Sequence, residues 1–204
     1  MDMIREIDSN LISPEKLFSS SDMARLGCSD CAGCSECCKD RAGIIVLDPW
    51  DVRELKKSLN YSFEGLLENA LIELSVIDGV VLPGLCTKKD RDECVFLDQN
   101  GRCSVHRARP GICRMFPLAR LYHEDGSFSY FIQEGECVKP TGVKIKISKW
   151  LGYKDVRAYE TFVRKYHDAL SDLRIKQEGV SAQERTDLQR RFLEEWFVSE
   201  EWPC

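Results

Sequence analysis

Five cysteines occupy one stretch of eleven residues in this chain: Cys28, Cys31, Cys34, Cys37 and Cys38. Two residues separate each of the first four from the next, so their sulfur atoms can converge on one centre. A disulfide needs Cα atoms roughly 4.4–6.8 Å apart and facing Cβ atoms, which cysteines in so short a loop satisfy poorly. The spacing therefore favours a metal ion or an iron–sulfur cluster as the object around which this loop folds.

The other cysteines support a metal site because they are unevenly placed. Ten of the eleven lie between Cys28 and Cys137. The N-terminus lacks the basic segment and apolar stretch of a secretory signal, and no apolar run approaches the roughly 20 residues that cross a bilayer. We therefore expect a cytoplasmic protein without a membrane partner. In that reducing compartment, clustered thiols bind metals rather than form permanent disulfides.

Length and composition indicate a globular chain with a core. The 204 residues are 43% hydrophobic and 31% charged, and the net charge of −5 argues against a nucleic-acid partner. We predict an α+β fold: a small Cys-rich core of loops and short β-hairpins around a metal or cluster site, packed with several α-helices. Three regions are expected: an N-terminal helical lead-in over 1–27, a cysteine-cluster metal-binding domain over 28–140, and a helical C-terminal region over 141–204 that packs on it.

Helix-start signals recur along the chain. Asp48 followed by Pro49 predicts a helix running to about Asn60, and Ser62 predicts a second one through Leu74. In the C-terminal region, apolar side chains recur at three- and four-residue steps and predict one amphipathic helix face: Val156, Tyr159, Phe162, Tyr166, Leu170 and Leu173.

Two glycine-containing turns predict β-hairpins. Asn100-Gly101 lies between Cys94 and Cys103, and both turn residues tolerate positive φ. That hairpin would bring the two cysteines close together. A second hairpin is predicted over residues 118–132, with Cys137 just beyond it.

The first cysteine run can be parsed in two frames. Cys28, Cys31, Cys34 and Cys38 reproduce the Cys-x2-Cys-x2-Cys-x3-Cys spacing of bacterial ferredoxins, with a lysine where those proteins have proline. The other frame replaces Cys28 with Cys37 and reads Cys-x2-Cys-x2-Cys-Cys. Spacing alone does not choose between them. Vicinal Cys37 and Cys38 cannot both turn toward one tetrahedral centre without strain, so we expect one to ligate and the other to support it.

A downstream set supplies the second half of a ligand pool. Its members are separated by 8, 9 and 23 residues, and the predicted hairpins and turn place them beside the cysteine loop: Cys94, Cys103, Cys113 and Cys137. With four cysteines from the first run, this set provides eight sulfur atoms. Eight are enough for two four-sulfur sites or for one site with supporting thiols.

The cysteines recur with characteristic neighbours: Cys31-x2-Cys34-x2-Cys37-Cys38, Cys94-Val-Phe-Leu, Cys103-Ser-Val-His, Arg109-Pro110-Gly-Ile-Cys113-Arg114-Met-Phe-Pro117 and Cys137. This combination, across residues 28–140, resembles the CxxCxxCC cysteine-cluster family, a YkgJ-like zinc- or iron-chelating domain. The resemblance implies a metal-ligand set of Cys31, Cys34, Cys37, Cys38, Cys94, Cys103, Cys113 and Cys137. Cys28, Cys86 and Cys204 lie outside that plan.

Basic residues near the cysteines suit a buried metal–thiolate centre. Four thiolates around Zn²⁺ or a [4Fe-4S] core leave a net charge of about −2, which needs compensating donors when buried. Arg107, Arg109 and Arg114 are each within four residues of Cys103 or Cys113, and we expect them to surround the metal ligands; the alternative is solvated surface charge. His106 could replace a thiolate on zinc, although packing in the hairpin is favoured.

The sequence thus predicts a metal-binding protein that chelates zinc or iron, with an iron–sulfur cluster as one form of the site. Zinc would make the site structural, whereas iron–sulfur would indicate a redox or electron-transfer role. The alternative is an enzyme related to the flagellin lysine N-methylases, which carry a related cysteine cluster. A protein partner could dock on the helical C-terminal region.

Overall fold

The computed structural model describes residues 16–26, 34–39, 45–88, 92–133, 137 and 143–201. Helices alternate with three two-stranded antiparallel sheets, which confirms the predicted mixture of α and β structure. No helix in these ranges is long and apolar enough to cross a membrane. The elements are β1 (Met23–Leu26), α1 (Pro49–Leu59), α2 (Phe63–Glu68), β2 (Ile72–Ile77), β3 (Val80–Leu85), α3 (Gly111–Met115), β4 (Leu118–Tyr122), β5 (Phe128–Ile132), β6 (Val143–Lys146), α4 (Ile147–Leu151), α5 (Val156–Lys176) and α6 (Ala182–Leu193).

Helix α1 begins and ends where its sequence signals place it. The Asp48 carboxylate accepts a hydrogen bond from the Asp51 amide, the Asp51 carboxylate accepts one from the Asp48 amide, and Pro49 occupies the first turn. Asn60 closes the helix in the left-handed conformation, with φ of 57°. The predicted helix from Asp48 to about Asn60 is confirmed.

The second helix is shorter than predicted. Ser62 does cap α2, but the helix ends at Glu68 and strand β2 follows over Ile72–Ile77, so the prediction of helix through Leu74 is wrong. Ala70 adopts a φ of 50°, which reverses the chain after the helix. The following segment then gains more from pairing with β3 than from continuing as a helix, because pairing buries the side chains at both ends of β2.

The described part of the N-terminal region is extended rather than helical. Phe18 pairs with Tyr130 of the β4–β5 hairpin, and β1 pairs with β6. Ala24 and Leu26 are buried while Met23 and Arg25 are exposed, which is the period of a strand. The predicted helical lead-in is therefore wrong over residues 17–26, and residues 1–15 lie outside the described residues.

The C-terminal helices share their core with a cysteine-bearing segment. The larger core cluster contains Cys94, Phe96 and Leu97 together with the buried face of α5, where Tyr159, Phe162, Tyr166 and Leu173 lie as predicted. A smaller cluster joins β1, α3, β4, β5 and α4. Helix α3, which carries Cys113, contributes Met115 to this smaller cluster.

Gly111 allows α3 to approach α1 and α5 closely. Its amide donates a 2.7 Å hydrogen bond to the Asp51 carboxylate, and a Cβ atom at this position would overlap the Tyr159 hydroxyl. Tyr159 is only 1% exposed, so its ring has little room to move aside.

Gly111→Ala should therefore lower the free energy of unfolding by about 1–3 kcal/mol, because the added methyl overpacks a buried contact. Gly65→Ala is the matched control: it lies in α2, and its Cβ would meet Tyr61 at 3.4 Å, an ordinary contact. The control should be neutral or stabilising by up to about 1 kcal/mol. Urea denaturation measures both, and an equal effect of the two substitutions would contradict this packing.

Candidate metal centre

The fold brings together the chain segments that carry five of the predicted ligands. Cys37 and Cys38 lie on a 3-10 turn over Glu36–Cys38, and the Cys94 amide donates a 2.8 Å hydrogen bond to the Cys38 carbonyl. Cys113, on α3, and Cys94 both act electrostatically on the Cys38 thiol. Cys94 and Cys37 likewise act electrostatically on the Cys103 thiol. The two halves of the predicted ligand pool are therefore neighbours in the fold.

The predicted turn at Asn100-Gly101 accounts for the proximity of Cys94 and Cys103. Gly101 has a φ of 70°, and Leu97 and Cys103 form an isolated antiparallel bridge across the turn. The Asp98 carboxylate accepts 2.8 Å hydrogen bonds from two amides of the turn. The hairpin is confirmed as a tight turn with isolated bridges, and sequence reasoning had not singled out Asp98 as the residue that closes it.

The environment of these thiols favours their protonated form when no cation is bound. A hydrogen bond with the Cys37 thiol, burial and the nearby cysteines raise the pKa of Cys38. Burial likewise raises the pKa of Cys103, with Cys94 and Cys37 adding to the effect and Arg109 opposing it. A divalent soft metal removes this penalty because it binds the deprotonated sulfur. The donor set therefore fits zinc or iron.

Three predicted ligands remain. Cys34 and Cys137 are half-buried, and Cys31 lies outside the described residues. Within the described ranges, no three Cys, His, Asp or Glu side chains meet in metal-ligand geometry, and the eight described cysteines form no disulfide with one another. Coordination by this set of cysteines stays a prediction.

Cys86 differs from the predicted ligands although its backbone lies beside them. The Cys86 carbonyl accepts a 3.1 Å hydrogen bond from the Val95 amide. Burial and the Glu73 carboxylate raise the pKa of the Cys86 thiol, with no contribution from another cysteine. The charge that acts on this thiol is therefore that of a carboxylate.

The sequence matches a family profile over residues 30–143, which is more than half of the chain. The profile is that of CxxCxxCC, described as "Putative zinc- or iron-chelating domain". The chain belongs to the CxxCxxCC family. The matched range contains all eight predicted ligands, while Cys28 and Cys204 fall outside it. No curated protein and no solved structure matches the chain.

The three arginines that were predicted to surround the metal ligands have different environments. Arg114 donates from Nε to the Arg109 carbonyl at 2.9 Å and from Nη2 to the Arg107 carbonyl, and its guanidinium lies 5.0 Å from the Tyr153 ring centroid. Arg109 acts electrostatically on Cys103, whereas the Arg107 side chain is exposed. Arg114 therefore braces the segment between Cys103 and Cys113, and a role of the arginines around the metal stays a prediction.

The histidines also have distinct positions. His106 is exposed, so its predicted packing within the hairpin is wrong. His123 hydrogen-bonds Ser129 at 2.8 Å. His167, on α5, is half-buried, and its ring stacks on Tyr122 with centroids 3.7 Å apart.

Sequence reasoning missed a pair of carboxylates at the start of α1, those of Asp48 and Asp51. Asp51 is 4% exposed, and its carboxylate accepts hydrogen bonds from the amides of Gly111 and Asp48. Burial raises the pKa of both Asp48 and Asp51, and the charge of Asp48 raises that of Asp51 further. The Asp-Pro-x-Asp spacing indicated a helix start, but it gave no sign that Asp51 would also hold the amide of Gly111.

Arg114→Ala should lower the free energy of unfolding by about 1–2 kcal/mol, because two carbonyl groups of the CxxCxxCC region lose a charged donor. Arg107→Ala is the control, since its side chain is exposed and the carbonyl that accepts from Arg114 is retained. The control should stay within about 0.5 kcal/mol of the wild type. Thermal unfolding of the metal-loaded proteins measures both, and equal losses would contradict the bracing role of Arg114.

Proposed function

We propose that this protein binds zinc or iron through thiolates of the CxxCxxCC region. The observation that carries the proposal is the meeting of four separate chain segments that bear Cys37 and Cys38, Cys94, Cys103, and Cys113. The family description supports the class of metal. The proposed ligand pool comprises Cys31, Cys34, Cys37, Cys38, Cys94, Cys103, Cys113 and Cys137.

The backbone around these cysteines explains why a metal would matter to the fold. The described residues from 86 to 110 form isolated bridges, turns and a 3-10 turn over His106–Ala108, with no regular strand or α-helix. Such segments gain few cooperative backbone hydrogen bonds. Metal–sulfur bonds would cross-link them, and the free energy of binding would then contribute directly to folding.

Zinc and iron would give this site different roles. A closed four-thiolate zinc site stabilises the fold and has no redox chemistry, whereas an iron–sulfur cluster carries electrons. We propose the structural role as the primary one, because most of the segments that carry the cysteines are irregular. The family match adds nothing in favour of the alternative, a protein lysine methylase.

Cys94→Ser should lose bound metal and unfold at a lower temperature than the wild type, because a serine hydroxyl is a much weaker ligand for a soft metal. Cys86→Ser is the matched control, because Cys86 is not one of the proposed ligands although its neighbour Thr87 pairs with Cys94. Elemental analysis of the purified proteins gives the metal content per chain. Retention of metal by Cys94→Ser, or an equal loss in Cys86→Ser, would contradict the assignment.

The identity of the metal can be tested on protein purified without oxygen. A structural zinc site predicts colourless protein with zinc in whole-number ratio to the chain and no change on adding dithionite. Brown protein whose visible absorption bleaches with dithionite would instead establish an iron–sulfur centre and overturn the structural role.

A further inference from the structure

A surface cavity of about 430 Å³ lies where α4 leads into α5. Its volume falls within the range of small-molecule sites. The wall is formed by residues just before β1, the end of β6, α4 and the first turn of α5. Four exposed side chains in that wall are cations: Lys146, Lys149, Lys154 and Arg157. The cavity therefore presents several positive charges to a ligand that enters from solvent.

These cations have no salt-bridge partner in the part of the chain that the structure describes. Residues 143–154 contain four lysines and no aspartate or glutamate, although the whole chain has a net charge of −5. Asp155 is the one carboxylate among the described residues of the wall. The positive charge of the cavity is thus a local excess in an acidic protein.

The carboxylates in and around the cavity already accept hydrogen bonds from the protein. Asp155 caps α5 by accepting from the Ala158 amide at 3.0 Å. Glu160 accepts from two hydroxyl groups, one on each oxygen, at 3.0 and 3.2 Å. Asp22 accepts from the Ser19 amide at 2.7 Å and from the Ser19 hydroxyl at 2.8 Å. These contacts hold the three carboxylates to backbone and hydroxyl groups rather than to the lysines.

Two features of this surface oppose the usual placement of charge. Arg25 of β1 lies directly opposite Lys144 of β6, and both side chains are exposed. Like charges in that position repel and weaken a sheet. Arg157 lies in the first turn of α5, where the positive end of the helix dipole disfavours a cation. Local conflicts of this kind are expected at functional sites.

Uncharged donors accompany the cations. Val156 and Arg157 are the first two residues of α5, so their amides have no acceptor within the helix, and both residues line the cavity. The Ser148 side chain lines it as well. Helix-start amides, together with lysine and arginine side chains, are the groups with which proteins bind phosphate.

We propose that this cavity binds the phosphate group of a small phosphate ester. A phosphate monoester carries a charge of about −1.5 to −2 at neutral pH and three acceptor oxygens, which suits several cations and amides better than a carboxylate does. Val156 and the Tyr153 ring would contact the rest of the ligand. A long nucleic acid fits less well, because the net charge of the chain repels it. The site uses no cysteine and goes beyond the proposed metal binding.

Titration calorimetry of the metal-loaded full chain tests the ligand class with phenyl phosphate, benzenesulfonate and a short thymidine oligonucleotide. Phenyl phosphate should bind saturably, and benzenesulfonate, which has a similar shape but one negative charge, should bind about tenfold more weakly. Failure of phenyl phosphate to bind at millimolar concentration would overturn the proposal. Equal binding of benzenesulfonate, or tighter binding of the oligonucleotide, would overturn it as well.

Three substitutions then locate the site in about 0.1 M salt, where charges more than about 10 Å apart are largely screened. Lys146→Gln and Arg157→Gln should each weaken phenyl phosphate binding about fivefold. Lys165→Gln is the matched control: it removes the same charge from an exposed position of α5 outside the described wall, and binding should change less than about twofold. Unchanged binding in either cavity variant, or equal weakening by Lys165→Gln, would overturn the assignment.

The stability of Arg157→Gln separates a binding role from a structural one. Its unfolding temperature should be no lower than that of the wild type, because the substitution removes a cation from the positive end of the helix dipole. A lower unfolding temperature would show that Arg157 supports the fold and would overturn its role in the site. Metal content is measured for each variant, so a failure of the proposed metal binding is seen separately.

Discussion

Sulfur atoms from four separate stretches of this chain lie close together, although few regular backbone hydrogen bonds hold those stretches. The links that do exist are single contacts, such as the Cys94 amide on the Cys38 carbonyl and the bridge between Leu97 and Cys103. Without a cation, neighbouring thiols and burial both oppose deprotonation. A bound metal would turn this crowding of thiols into a cross-link between the four stretches.

The rest of the molecule supplies a rigid support for this cysteine region. Cys94 lies in the same core as the aromatic side chains of α5, and α3 is held to α1 by the buried hydrogen bond between the Gly111 amide and the Asp51 carboxylate. Cys113 lies two residues beyond Gly111. The position of one cysteine therefore depends on a contact with α1, a helix that contains no predicted ligand.

Signals that act over a few residues were readable from the sequence. The cap at Asp48, the turn at Gly101 and the amphipathic face of α5 each depend on neighbours in sequence, and all three were predicted. Pairings between residues far apart in the sequence were not predicted. Residues 23–26 became a strand because β6 lies beside them, and Asp51 gave no local sign that its carboxylate would accept a hydrogen bond from the Gly111 amide. The cysteine plan was readable because ligand spacing is itself a sequence pattern, yet the proximity of its two halves depends on the fold.

X-ray absorption at the metal edge of the purified protein tests the central claim most directly, because it reports the atoms bonded to the metal. Four thiolates around zinc predict a first shell of sulfur at about 2.3 Å. A first shell made only of nitrogen and oxygen at about 2.0–2.2 Å would contradict the account. Folded protein that contains no zinc or iron would contradict it equally.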